Sequence, residues 1–128
     1  MRRSYSDRFT DIPAMILEIE VVAHGTARRI RLPAKIDTGA DITVVPDTAV
    51  DSLRLVEYGS RIVHVVNHAP YEAPTYRADV DVEGIQFKSL QVVGHHKPYV
   101  LIGRDILNQL KLIADGPNET FELIHPKS

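Results

Sequence analysis

Short runs of β-branched and apolar residues, each stopped by turn chemistry, recur along this chain from Met15 to Ile124. Alternation with a period of two marks half-buried strands, and runs this short leave no room for long helices. Met15–Val22 reads as a strand. Ala27–Ile36 reads as its hairpin partner, with Arg29 and Arg31 alternating with Ile30 and Leu32 beyond a turn at His24-Gly25. Ile42–Val45 is a further short strand ended by Pro46, and Asp47–Leu53 suits one or two helical turns with Pro46 opening them. Arg61–Val66 is strand-like, whereas Asn67–Pro74 carries two prolines and is expected to be a stiff, exposed loop. Tyr76–Val82 and Ile85–Val93 alternate around a turn at Glu83-Gly84, and Tyr99–Ile102 is a dense apolar strand. Asp105–Leu110 fits a short helix, with Ile106, Leu107 and Leu110 on one face. Lys111–Asp115 and Thr120–Ile124 flank Gly116-Pro117-Asn118-Glu119, a terminal hairpin. The chain is therefore expected to be mostly β: one domain over residues 13–128, preceded by a mixed polar and aromatic arm, residues 1–12, that orders on a partner.

Composition narrows what such a domain can do. With 128 residues there is one modest core and no room for two full lobes. There is no cysteine, so disulfides, thiolate metal sites and cysteine nucleophiles are excluded. Lys and Arg number 15 against 17 Asp and Glu, and aromatics make up 6%, a poor basis for the basic grooves and stacking platforms that bind nucleic acid. The polar start and the lack of a long apolar run argue against a leader or a membrane span, and make the cytoplasm the expected compartment. Of the six histidines, His95 and His96 are adjacent and would point to opposite faces of a strand. His64 and His68 follow a β-branched run rather than a helix, so no metal site is expected.

The chemistry concentrates in Ala34-Lys35-Ile36-Asp37-Thr38-Gly39-Ala40-Asp41-Ile42-Thr43-Val44-Val45-Pro46. An apolar strand delivers a carboxylate into a tight turn, and a second apolar strand leaves it. A carboxylate there is costly unless its charge is bonded or shared. Asp37-Thr38-Gly39-Ala40-Asp41 resembles the active-site motif of retroviral-type aspartic proteases, the retropepsins. Val100-Leu101-Ile102-Gly103-Arg104-Asp105-Ile106-Leu107, beginning 63 residues after Asp37, resembles the family's apolar-glycine segment with its arginine and C-terminal helix. The resemblance implies a single-lobe retropepsin-like acid protease fold, a closed barrel-like sheet with one or two short helices. It makes Asp37 the catalytic aspartate and Thr38 the residue whose hydroxyl bonds across a two-fold axis. Gly39 is then the glycine facing substrate, with Ala40 following it. Asp41 pairs with Arg104, and Gly103 lies in the apolar layer behind the loop. Asp105 is expected to cap the following helix. The chain departs from the family in its candidate substrate flap, Asn67, His68, Ala69, Pro70 and Tyr71, which has no glycine, and in its long terminal hairpin.

Aspartic proteolysis needs two carboxylates sharing one proton around a water, and this chain has a single Asp-Thr-Gly. The resemblance therefore implies a two-fold homodimer, one Asp37 per subunit, hydrolysing extended peptides without a cofactor. The terminal hairpin and Thr38 are expected at its interface. The alternative is a module that keeps the fold to dimerise or to bind peptides without cleaving them.

Overall fold

The structure, a computed structural model, describes residues 1–126; Lys127 and Ser128 lie outside the described residues. Alternation builds the sheet. In β2 (Ile16–Ala23), Leu17, Ile19 and Val21 are buried while Glu18 faces solvent. The strand pairs antiparallel with β3 (Arg29–Ile36), giving the expected hairpin. β4 (Val44–Pro46) leads into α1 (Asp47–Ser52), which starts one residue after Pro46 and buries Ala49 and Val50. β5 (Val56–Val63) and β6 (Tyr71–Val82) form a long hairpin, and β6 continues into β7 (Ile85–His95). Between them Glu83 and Gly84 both take positive φ, 51° and 83°, the conformation of a two-residue hairpin turn that matches strand twist. β8 (Val100–Ile102) runs to α2 (Arg104–Leu107), which buries Ile106 and Leu107.

Six of these strands close on themselves. The order β2-β3-β8-β4-β7-β6 returns to β2 through a β2–β6 pairing, and β5 hangs from β6 alone. The barrel interior holds Val21, Val80, Val92, Val100, Ile102 and Ile106, all fully buried. β9 (Lys111–Asp115) and β10 (Thr120–Ile124) match the expected terminal hairpin and form a separate three-stranded sheet with β1 (Arg3–Ser4). Phe121 and Leu123 of β10 join the same core. Among the described residues, no helix is long and apolar enough to cross a membrane.

Three expectations change. The first residues do not stand apart as an arm: Arg3 and Ser4 pair with Phe121 and Thr120, Tyr5 packs on Phe121, and Phe9 lies 4.8 Å from the Tyr99 ring. The strand expected from Arg61 begins at Val56, hidden in the sequence because most of its residues face solvent on both sides. Tyr71–Pro74 belongs to β6 rather than to a loop. Pro74 sits opposite Ser60 of β5, but pairing with β7 begins only at Tyr76, so one side of β6 is open where the proline stands, as at an edge strand.

Thr75 is fully buried beside the bulge at Glu57–Gly59, and its hydroxyl has no hydrogen-bond partner. Valine has nearly the same shape and no polar atom to desolvate. Thr75→Val is expected to raise the free energy of unfolding by about 1 kcal/mol in urea denaturation. A loss of stability would show that the hydroxyl is satisfied.

Candidate active site

Strand β3 ends at Ile36, and its pairing with β8 carries one step further: the Asp37 N–H donates to the Ile102 carbonyl at 3.0 Å. The chain then turns, with Ala40 N–H donating to the Asp37 carbonyl and Gly39 N–H to Asp37 Oδ1 at 3.0 Å. That last bond orients the carboxylate and partly balances its charge. Thr38 and Gly39 are exposed at the tip of the turn.

A second segment clamps this turn from behind. Arg104 N–H donates to the Ala40 carbonyl at 2.9 Å, and Asp105 N–H to the Asp41 carbonyl at 3.3 Å. The Arg104 guanidinium donates to the Thr38 carbonyl at 2.7 Å and pairs with the Asp41 carboxylate. Gly103 N–H donates to Thr43 Oγ1 at 3.3 Å. A Cβ at Gly103 would lie 2.6 Å from the Ile42 carbonyl, closer than real Cβ atoms come, so no larger residue fits there. All seven residues singled out at this loop are thus brought together: Asp37, Thr38, Gly39, Ala40, Asp41, Gly103 and Arg104.

Asp105 corrects an expectation. The residue that caps α2 is Gly103, without a side-chain bond. The Asp105 carboxylate does accept the neighbouring Ile106 N–H, but its long-range partner is Thr43, whose N–H and hydroxyl donate to it at 3.0 and 2.8 Å. Thr43 is fully buried, so this carboxylate satisfies a polar pair that water cannot reach. No local pattern near Asp105 announces a partner 62 residues upstream.

Asp37 opens into a groove of 770 Å³. The hairpin β5–β6 forms one wall and brings His68, Ala69 and Tyr71 to it; Asn67 and Pro70 of the expected flap do not line it. Asn67 instead makes the bend, with φ 65°, a left-handed conformation that asparagine tolerates where glycine is more usual. Sequence reasoning missed Val63, His64, Val65 and Val66 on the incoming limb, whose exposed apolar run was the available signal. Ala40, Asp41 and Val44 continue the groove toward Arg61 and Ile62. Among the described residues, no three of His, Asp and Glu are grouped so as to hold a metal ion.

The sequence profile of the retroviral aspartyl protease family matches residues 13–113. The chain belongs to this family. No curated protein sequence matches it. Among solved structures it resembles the EIAV protease complexed with the inhibitor HBY-793, at 20% identity and TM-score 0.60, over 74% of this chain and 86% of that one. A retropepsin-like aspartic protease from Rickettsia conorii is similar over 88% of this chain and 93% of its own, at 17% identity and TM-score 0.57. The foamy viral protease–reverse transcriptase in complex with an RNA/DNA hybrid matches at 20% identity and TM-score 0.61, over 77% of this chain, which spans only 12% of that protein. Identities this low establish the retropepsin-like, single-lobe fold.

Asp105→Ala would strand the Thr43 N–H and hydroxyl in the interior. It should cost about 2–4 kcal/mol of stability in urea denaturation, one buried unsatisfied group costing roughly 1–3 kcal/mol. A loss below about 0.5 kcal/mol would mean that Thr43 finds other partners.

His95 supplies a pH dependence. Its Nε2 lies 2.7 Å from the Tyr99 carbonyl, which can only accept, so Nε2 carries the hydrogen. Burial pushes its pKa below the ordinary value, against the opposing pull of that carbonyl and of Asp47. The unfolded chain therefore binds this proton more readily than the folded one. Stability from this residue is complete above about pH 6.5 and falls as the pH drops below it. Urea unfolding at a series of pH values should show His95→Gln losing less stability on acidification than the unsubstituted protein; parallel curves would refute this.

Proposed function

We propose that this chain is a homodimeric aspartic endopeptidase whose active site is completed only when a second copy brings its own Asp37 to face the first. The observation that carries the reading is the placement of Asp37: on a turn fixed from behind by Gly103–Asp105, at the wall of a groove partly covered by a hairpin. One chain supplies one such carboxylate, and the proposed reaction needs two.

In the dimer, two carboxylates about 3 Å apart cannot both ionise freely, so the pair holds one shared proton. The ionised member takes a proton from the water between them as it attacks the peptide carbonyl carbon. The protonated member donates to the carbonyl oxygen, and the resulting tetrahedral diol collapses as the amide nitrogen takes up a proton and leaves. Gly39 at the turn leaves backbone open to an extended substrate, which would add alongside the β5–β6 hairpin as a strand. Thr38 sits exposed at the tip, available to bond its counterpart across the axis.

Two features support the dimer. The sheet β1-β10-β9 leaves β9 as an open edge, and Ile113 on it is 41% exposed. The Asp41–Arg104 pair, half open to water in one chain, is where a second copy would cover the loop.

Asp37→Asn is expected to leave the dimer and its stability intact while lowering cleavage of a peptide library by at least about a thousandfold, since the nucleophilic water loses its base. Analytical ultracentrifugation of the unsubstituted protein should show a dimer whose dissociation and loss of cleavage coincide. An active monomer would end the reading. A dimer that binds peptides and cleaves none would favour the non-catalytic module.

A further inference from the structure

Four of the chain's six histidines line the groove that holds Asp37: His64, His68, His95 and His96. They arrive from two separate elements, the tip of the β5–β6 hairpin and the end of β7 with the turn that follows it, and Lys97 joins the second pair. Asp37 is the one carboxylate among the residues lining that groove. The chain as a whole is slightly acidic, with a net charge of −2, so this gathering of basic side chains is local to the cleft. His24 lies elsewhere and is paired with Asp79.

The four histidines are not equivalent. His95 is half-buried and its Nε2–H is committed to the Tyr99 carbonyl, a structural bond that turns the residue away from any ligand role. His64, His68, His96 and Lys97 are exposed, and their side chains make no hydrogen bond or ion pair with the described residues. Three unengaged imidazoles and an ammonium thus face a groove in which Asp37 is needed for chemistry and Asp41, where the groove continues, is paired with Arg104.

We propose that the groove selects peptides carrying acidic side chains beside the scissile bond, and that His64, His68, His96 and Lys97 are the specificity-determining residues. This rests on reading the groove as the substrate site. Imidazolium and ammonium groups on the two walls offer cations to a substrate carboxylate, and imidazole as a class carries that charge only toward acidic pH. The charges facing them are Asp37 from the active turn, Asp41 (paired with Arg104) and Arg61 of β5 beside His64, and Asp47 of α1 beside His95. In a two-fold dimer both walls occur twice, so acidic residues are favoured on either side of the cleaved bond.

The test compares peptides drawn from a library in matched pairs that differ only in Glu or Gln flanking the cleaved bond. For the unsubstituted protein, the Glu-to-Gln ratio of kcat/KM at about pH 5.5 and low salt should be about fivefold or more, each exposed pair contributing a factor of a few. The ratio should shrink as salt screens the charges and as the pH rises toward about 8. The combined variant His64→Gln, His68→Gln, His96→Gln and Lys97→Gln should bring it close to one. Asp37→Asn gives a second reading without catalysis: its Kd for the Glu peptides should be lower than for their Gln partners by a similar factor. Should the unsubstituted protein cleave neither peptide, the same binding preference would uphold the selection and sink the protease reading. Equal cleavage of each pair, equal or undetectable binding of both, or a ratio that survives the combined variant would overturn the proposal.

Discussion

The junction between the Asp37–Thr43 turn and the Gly103–Asp105 segment holds the rest of the site in place. The bonds that tie them run mostly from backbone groups, or between Thr43 and Asp105 where one partner is fully buried. Such bonds cannot be exchanged for water without leaving interior groups unpaired, so they hold geometry firmly. The Arg104–Asp41 pair is of another kind. Its side chains are 42% and 68% exposed, and a solvated pair of that sort adds little to a single chain. Its other contact, to the Thr38 carbonyl, makes it a strut for the tip of the turn. In the proposed dimer the same arginine would be covered, and losing it would then leave an acid unpaired at an interface.

Much of the fold was legible because its signals are local. The β2–β3 and β9–β10 hairpins and the Glu83-Gly84 turn follow from alternation and turn chemistry within a few residues of one another. The Asp37 loop and its Gly103-Arg104 partner were legible together because their residue types are demanding: a Cβ at Gly103 has nowhere to go. What escaped notice depends on distant neighbours. Val56–Ser60 shows no buried face, because β5 touches the barrel only along one edge. Arg3 and Ser4 become a strand only because β10 offers them an edge, and Asp105 acquires its partner only when Thr43 is folded beside it. Pro74 reads as a strand breaker until it is clear that only one side of β6 is paired there.

Closure of the barrel decides where the chain can still make contacts through its backbone. Each of the six barrel strands has neighbours on both sides, so none presents a free edge along its paired length. The edges that remain belong to β5 and to β1 and β9. Most of the exposed large apolar side chains follow the same division: Val56, Tyr58, Ile62, Val65, Val66 and Tyr71 sit on β5 and the β5–β6 hairpin and Ile113 on β9, while Met1 and Ile12 lie outside both. Open edges with apolar side chains are liabilities for a protein that works alone. Here they fall at the two places where the proposed function requires a second chain, substrate over the hairpin and a second copy along the terminal sheet. In that reading the closed barrel supplies the stable core, and the open edges are what the substrate and the second copy would cover.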